Sequence, residues 1–117
     1  MRTVLFISSD ENHRRKYTAG LRARHIGLVP TGAVDQAAGL LHHFTVDAVV
    51  HHLAADTPEA WQEVVAVVTL AGRTPVLLLT QVPSPDTQQR ALRIGCVGYA
   101  NEPCAPSELA ALLQKLP

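Results

Sequence analysis

Four apolar stretches of the sequence each end in side chains that can form hydrogen bonds or exchange protons. Ser8 and Ser9 follow the first stretch, His52 ends another, and Thr80 and Glu102 stand at the ends of two more. Imidazole titrates near neutral pH, and hydroxyl and carboxylate oxygens accept hydrogen bonds. Such a set can form a polar cluster, but it holds Mg²⁺ poorly because that ion prefers hard oxygen anions.

The spacing of the histidines argues against chelation by sequence neighbours. His51 and His52 are adjacent in a predicted strand and therefore point to opposite faces. His42 and His43 lie about 100 degrees apart on a predicted helix. No His-x-His or His-x-x-x-His spacing occurs. We therefore predict no metal site and no cofactor, and we expect His51 to be a packing or surface residue.

Apolar runs alternate with helical patterns along the whole chain. The runs "TVLFIS", "GLVPT", "DAVVHHL", "TPVLLLT" and "VGYA" predict five strands. The intervening segments predict five helices through caps, proline starts and apolar spacing. These helices cover 11–25, the segment carrying Val34, Ala37, Ala38 and Leu41, the segment from Thr57-Pro58, 84–95, and the segment from Pro106.

The pattern predicts an α/β fold of the (βα)5, flavodoxin-like type. Uniformly apolar strands joined by helical crossovers require a parallel sheet with helices on both faces. Pro30 cannot donate to a ladder, so the second strand belongs at an edge, and the expected strand order is 2-1-3-4-5. In such sheets the functional site lies beyond the carboxyl ends of the strands, where the polar residues above are found.

Composition narrows the class of protein. The chain has 117 residues, 47% hydrophobic and 17% charged, which is typical of one globular domain spanning 1–117. Ten basic and ten acidic residues balance, so nucleic acid is not an expected partner. The longest uncharged apolar stretch is too short for a bilayer, and the start is no signal peptide. Two cysteines without framework spacing favour a reduced, cytoplasmic protein.

The segments "VLFISSDENHRR", "DAVVHHL", "TPVLLLTQ", "RALRIGCVGYANEP" and "APSELAALL" resemble the response-regulator receiver domain, of which CheY-like proteins are typical. The resemblance covers nearly the whole chain. Receivers carry an acidic pair after strand one, a phospho-accepting Asp after strand three, Thr or Ser after strand four, and Lys-Pro after strand five. An aromatic switch residue lies in strand five. Thr80, Gly95, Tyr99 and Pro103 match this pattern.

The catalytic positions of the family do not match. The resemblance places Ser8 and Ser9 at the acidic pair, His52 at the phospho-acceptor and Glu102 at the lysine. Asp10 is expected to begin the first helix instead, because a one-residue shift would turn the strand's inward side chains outward. Reversing a unit charge near 4 Å from a phosphoryl group disfavours its binding by up to about 8 kcal/mol. We therefore expect a degenerate site, a pseudo-receiver, in which His52 and Glu102 form a hydrogen bond.

The implied function is an atypical, phosphorylation-independent receiver that acts as a protein–protein interaction module in bacterial signal transduction. One expectation is that the chain is a single domain excised from a longer protein. A small-ligand or pH sensor that uses the former phosphorylation cleft is the alternative, and an enzyme is the weakest interpretation because nucleophile, base and phosphate loop are missing. The partner is a signalling protein, an output domain or a second copy. The expected contact surface is helix four with strand five and helix five, or helix three, where Val67 and Leu70 lie outside an inner stripe of Trp61, Val64, Val65 and Val68.

Overall fold

The computed structural model describes residues 2–82 and 84–116, in which strands and helices alternate. The strands are β1 (Arg2–Ile7), β2 (Ile26–Thr31), β3 (Ala48–Leu53), β4 (Val76–Thr80) and β5 (Gly98–Asn101). The helices are α1 (Glu11–Arg22), α2 (Ala37–His43), α3 (Pro58–Ala71), α4 (Pro85–Ile94) and α5 (Pro106–Gln114). A 3-10 turn, Val34–Gln36, precedes α2. No helix in the described ranges is long and apolar enough to span a membrane.

The five strands form one parallel sheet in the order β2-β1-β3-β4-β5, which confirms the predicted (βα)5 topology. Pro30 lies opposite Phe6 on β2, an edge strand, as its missing N–H requires. The four connections between successive strands return the chain to the same end of the sheet, because parallel strands need a crossover between them. The residues that follow each strand are therefore gathered at one edge of the molecule.

Two apolar cores lie on opposite faces of the sheet, and successive residues of β3 contribute to them in turn. Val50 packs with Tyr17 and Leu109 of α1 and α5, while Val49 packs with Trp61 of α3 on the other face. Every residue of β3 is buried. Alternate side chains of this strand therefore point into opposite cores, so the position of a residue along β3 decides which core it enters.

Helix caps place the first residues of the helices in the expected way. The Asp10 carboxylate accepts hydrogen bonds from the backbone N–H groups of Asn12 and His13 at 2.9 and 3.3 Å. Asp10 is therefore the N-cap of α1, as predicted, and its carboxylate is engaged by the helix backbone. Thr57 and Ser84 cap α3 and α4 in the same manner.

Three sequence predictions need correction. Helix α1 ends at Arg22 rather than at residue 25, because His25 adopts a left-handed φ of 62° that interrupts the helix. On α3, Val67 is fully buried and Val65 is 47% exposed, so the two residues exchange the sides predicted for them. On α2, Ala38 is exposed rather than part of the inner stripe, because the chain enters this helix through a 3-10 turn that changes the phase of its faces.

The two ends of the described chain are joined by a side chain. The Arg2 guanidinium donates to the carbonyl oxygens of Leu113 and Leu116 at 2.6 and 2.7 Å. Leu113 lies in the last turn of α5 and Leu116 just beyond the helix. The first strand is thus tied to the end of the last helix. Nearby, α1 meets α5 where Gly20 faces Pro106, so closely that a Cβ on Gly20 would lie 2.3 Å from Pro106 Cβ.

Candidate functional site

A buried polar cluster lies at the carboxyl end of the sheet, where β1, β3 and β5 end near the first turn of α1. Ser8 follows β1, His52 is the fifth residue of β3, and Glu102 follows β5. His13 of α1 completes the cluster. His52 has the parity of Val50, which directs its side chain to the face covered by α1 and α5.

His52 and Glu102, for which the sequence predicted a hydrogen bond, lie in direct contact. His52 Nε2 lies 2.7 Å from Glu102 Oε1, and the side chains are 3% and 14% exposed. The oxygen lies away from the direction of a ring N–H, and neither atom has a well-directed hydrogen-bond partner among the described residues. The contact is therefore close in distance but poorly aligned as a hydrogen bond.

His13 is a member of the cluster that sequence reasoning missed. Its Nε2 donates to Glu102 Oε2 at 2.8 Å, since a carboxylate only accepts. Its ring centroid lies 4.2 Å from that of His52. His13 precedes the buried Tyr17 by four residues, so it lies on the inward side of α1. That spacing is the signal that would have revealed it.

Ser8 and Thr80 hold the cluster in place. Ser8 is 2% exposed; its Oγ lies 3.3 Å from His52 Nδ1 and accepts from the backbone N–H of Asp10. The carbonyl of the buried Thr80 accepts from the backbone N–H of Glu102 at 2.9 Å. The Thr80 hydroxyl accepts from the N–H of Val82 instead of joining the cluster.

The remaining predicted site residues lie outside the cluster. Ser9 is exposed, and Tyr99 is half-buried against the core that faces α2, α3 and α4. His51 is 2% exposed on the face of the sheet opposite His52, so it is a packing residue as predicted. A cleft of about 500 Å³ opens beside the cluster; its lining includes Ser9, His51 and His52.

Burial keeps the imidazoles of β3 uncharged. The pKa of His52 is lowered, first by burial and then by His13, while the Glu102 carboxylate acts in the opposite direction. Burial, aided by His52, lowers the pKa of His51 to about 4. At neutral pH both histidines are therefore neutral.

No family model matches the sequence, and no curated protein is similar to it. The fold does match solved structures over its full length. The chemotaxis protein CheY4 of Vibrio cholerae has a TM-score of 0.86 at 21% identity, covering 100% of this chain and 99% of that chain. The fold of this chain is therefore that of a CheY-like receiver domain. A response regulator of Thermotoga maritima gives 0.83 at 15% identity, covering 98% and 96% of the two chains. A two-component response regulator of Clostridium difficile gives 0.80 at 17%, covering 97% and 93%.

The structural similarity establishes the receiver fold, but sequence identities this low do not establish the family's chemistry. The assignment of Ser8, Ser9, His52, Thr80 and Glu102 to the positions of a degenerate phosphorylation site stays a prediction. What the structure adds is geometry: two imidazoles converge on one carboxylate at the end of the sheet. The His52 and Glu102 side chains are close enough to act on each other, whatever their ancestry.

Proposed function

We propose that this chain is an atypical, phosphorylation-independent receiver domain that works as a protein–protein interaction module in bacterial, cytoplasmic signal transduction. The observation that carries the proposal is the contact between His52 and Glu102 at 2.7 Å. By resemblance, a receiver has its phospho-accepting Asp and its lysine at these two positions. Here an imidazole and a carboxylate occupy them and engage each other.

The chemistry of phosphoryl transfer has no support in this cluster. The acceptor must be an accessible nucleophile, and cations must take up the charge on the transferring group. His52 is 3% exposed and has Glu102 at Nε2 and Ser8 at Nδ1. A phosphoryl group approaching either nitrogen would meet a carboxylate or a buried hydroxyl. A unit negative charge near 4 Å opposes it by about 4 kcal/mol at an effective dielectric of 20. We therefore propose no enzymatic activity for the chain.

The surface beside β5 supports a role in protein contacts. Leu92 on α4 and Val97 before β5 are each 50% exposed, and Tyr99 is half-buried nearby in sequence. Val65 and Leu70 make α3 a second apolar surface. We propose the α4-β5-α5 surface as the contact for a signalling protein or a second copy, because apolar exposure there is joined to a strand at the sheet edge.

Phosphodonor treatment tests the first half of the proposal. Incubation with acetyl phosphate and Mg²⁺, followed by intact-mass spectrometry, should leave the mass unchanged, while a phosphorylatable receiver in the same tube gains one phosphoryl group. The proposal would be contradicted by a gain of mass in wild type that disappears in His52→Ala. The control His42→Ala, at an exposed histidine, should retain such a gain.

Sedimentation of the protein tests the contact surface. If a dimer forms through α4-β5-α5, Leu92→Glu should shift the equilibrium to monomer, whereas Val65→Glu on α3 should leave it unchanged. The opposite result assigns the dimer to α3. If the protein is monomeric at all concentrations, the proposed partner is a different protein. Capture of that partner by wild type is then compared with capture by the Leu92→Glu variant.

A small-ligand sensor remains a second candidate because of the cleft of about 500 Å³ next to Ser9 and His52. Ligand pockets in proteins have volumes of this order. A metabolite screen by thermal shift would separate the two functions. A compound that stabilises wild type but not the Ala60→Leu variant would favour the sensor, because Ala60 lines the cleft.

A further inference from the structure

Two atoms of the cluster face each other in a way that calls for a positive centre. His52 Nε2 and Glu102 Oε1 are 2.7 Å apart, yet each is buried without a directed hydrogen-bond partner in the described part of the chain. His52 Nδ1 has Ser8 Oγ at 3.3 Å, so a proton on Nδ1 would leave the lone pair of Nε2 without a donor. Glu102 Oε1 lies beside this nitrogen but off its axis, so two electron-rich atoms are crowded together, and a cation on the axis of the Nε2 lone pair would relieve the repulsion.

We propose that His13, His52 and Glu102 form a binding site for one divalent transition-metal ion of the Zn²⁺ class. One donor atom from each residue lies within 4.8 Å of the others. The inference goes beyond the proposed interaction role and does not depend on it. It also revises the expectation of no metal, which considered only histidines close together in sequence, whereas this site combines three distant segments.

The donor set selects the class of ion. Two imidazoles and one carboxylate suit Zn²⁺ and its neighbours among the divalent transition metals, whereas Mg²⁺ prefers oxygen donors. With metal–ligand distances near 2.1 Å, tetrahedral ligands stand about 3.4 Å apart. Glu102 contacts His52 Nε2 through Oε1 at 2.7 Å and His13 Nε2 through Oε2 at 2.8 Å. Each contact is shorter than the tetrahedral spacing by roughly 0.6–0.7 Å.

The framework holds the three donors in position. Asp10 caps the turn of α1 that carries His13, and the Thr80 carbonyl fixes the backbone of Glu102. Ser8 Oγ can accept the Nδ1 proton of His52, the type of outer contact that orients a metal-binding imidazole. At His13 the ion replaces the Nε2 proton, which moves to Nδ1, an atom without another partner among the described residues.

The site is open on one side. His13 and Glu102 are 12% and 14% exposed while His52 is 3% exposed, so an ion can enter from the side of His13 and Glu102. Three protein donors with an open position is the arrangement of zinc sites that keep a water or an exchangeable ligand. Cys96 and Cys104 are buried and lie outside the cluster of candidate ligands.

Metal titration of the untagged protein tests the proposal. Zn²⁺ competition with a chromophoric chelator should give one ion per chain, and Co²⁺ should give the visible absorption of a low-coordinate site without thiolate charge transfer. His52→Ala and Glu102→Gln should each weaken Zn²⁺ binding by more than about 100-fold, and Ser8→Ala by about 10- to 100-fold. The double change His42→Ala, His43→Ala at exposed histidines is the matched control and should leave the affinity unchanged.

The variants must be folded for the comparison to count. Circular dichroism and thermal unfolding without metal should match wild type for Glu102→Gln, which preserves size while removing the charge. If His52→Ala does not fold, Glu102→Gln and His13→Gln decide the question. Binding that is absent in wild type, or that disappears in the His42, His43 control and persists in Glu102→Gln, would overturn the proposal. Neither result bears on phosphodonor labelling, which tests the interaction role separately.

Discussion

His51 should make the stability of the domain depend on pH. Its side chain is 2% exposed, its strand neighbours are Ile7 and Leu78, and its Nδ1 has no hydrogen-bond partner among the described residues. Burial and the neighbouring His52 lower its pKa from 6.5 to about 4. A protonated imidazole here would be a buried cation without a counter-ion, so folding favours the neutral form.

The size of the effect follows from the difference in pKa. The folded state binds fewer protons than the unfolded state between the two pKa values, so stability is complete above about pH 6.5 and falls as the pH approaches 4. Linkage gives a loss of about 2 kcal/mol between pH 7.5 and pH 5, and about 3 kcal/mol by pH 4. Against a total stability of about 5–15 kcal/mol, this is a measurable share.

Urea unfolding of wild type and His51→Leu, with a chelator present, measures the contribution. Leucine suits a position between Ile7 and Leu78 and cannot be protonated. The free energy of unfolding of wild type should fall by about 2 kcal/mol more than that of the variant between pH 7.5 and pH 5. His42→Leu, at an exposed site, should follow wild type. Parallel curves for wild type and His51→Leu would refute the reasoning.

Two further predictions concern packing. Gly20→Ala should destabilise the fold by about 1–3 kcal/mol in urea unfolding, because its Cβ would lie 2.3 Å from Pro106 Cβ and force α1 away from α5; an unchanged midpoint would contradict that contact. Val67→Ala should cost about 1–3 kcal/mol by leaving a cavity in the core. Its matched control Val65→Ala, at a 47% exposed site, should cost less than about 0.5 kcal/mol, and a reversed order would restore the side of α3 first predicted for these residues.

The topology could be predicted because each of its determinants is local. Continuous apolar runs such as "VLLL" mark strands buried on both faces. The single residue Pro30 places β2 at the edge. Caps at Asp10 and Ser84 mark helix starts by side-chain bonds to backbone N–H groups only two or three residues away. Nothing beyond a short window of sequence is needed for any of these.

The membership of the cluster and the phase of α3 depend on longer-range information. The spacing of His13 from Tyr17 predicts that His13 lies on the inward side of α1, but its partner Glu102 is 89 residues away and no local pattern encodes that contact. On α3, apolar residues surround the helix, so Trp61 and Val64 fit a stripe continued by Val68 as well as one continued by Val67 and Ala71. Only the position of the sheet and α4 decides between them, and it buries Val67.

The hydrogen bonds from Arg2 to the carbonyls of Leu113 and Leu116 make the beginning and the end of the described chain spatial neighbours. A short linker between them would bridge a small gap, so new ends could be opened in an exposed loop without breaking either core. The order in which the five β–α units are read along the polypeptide is therefore separable from the order in which they stand in the sheet.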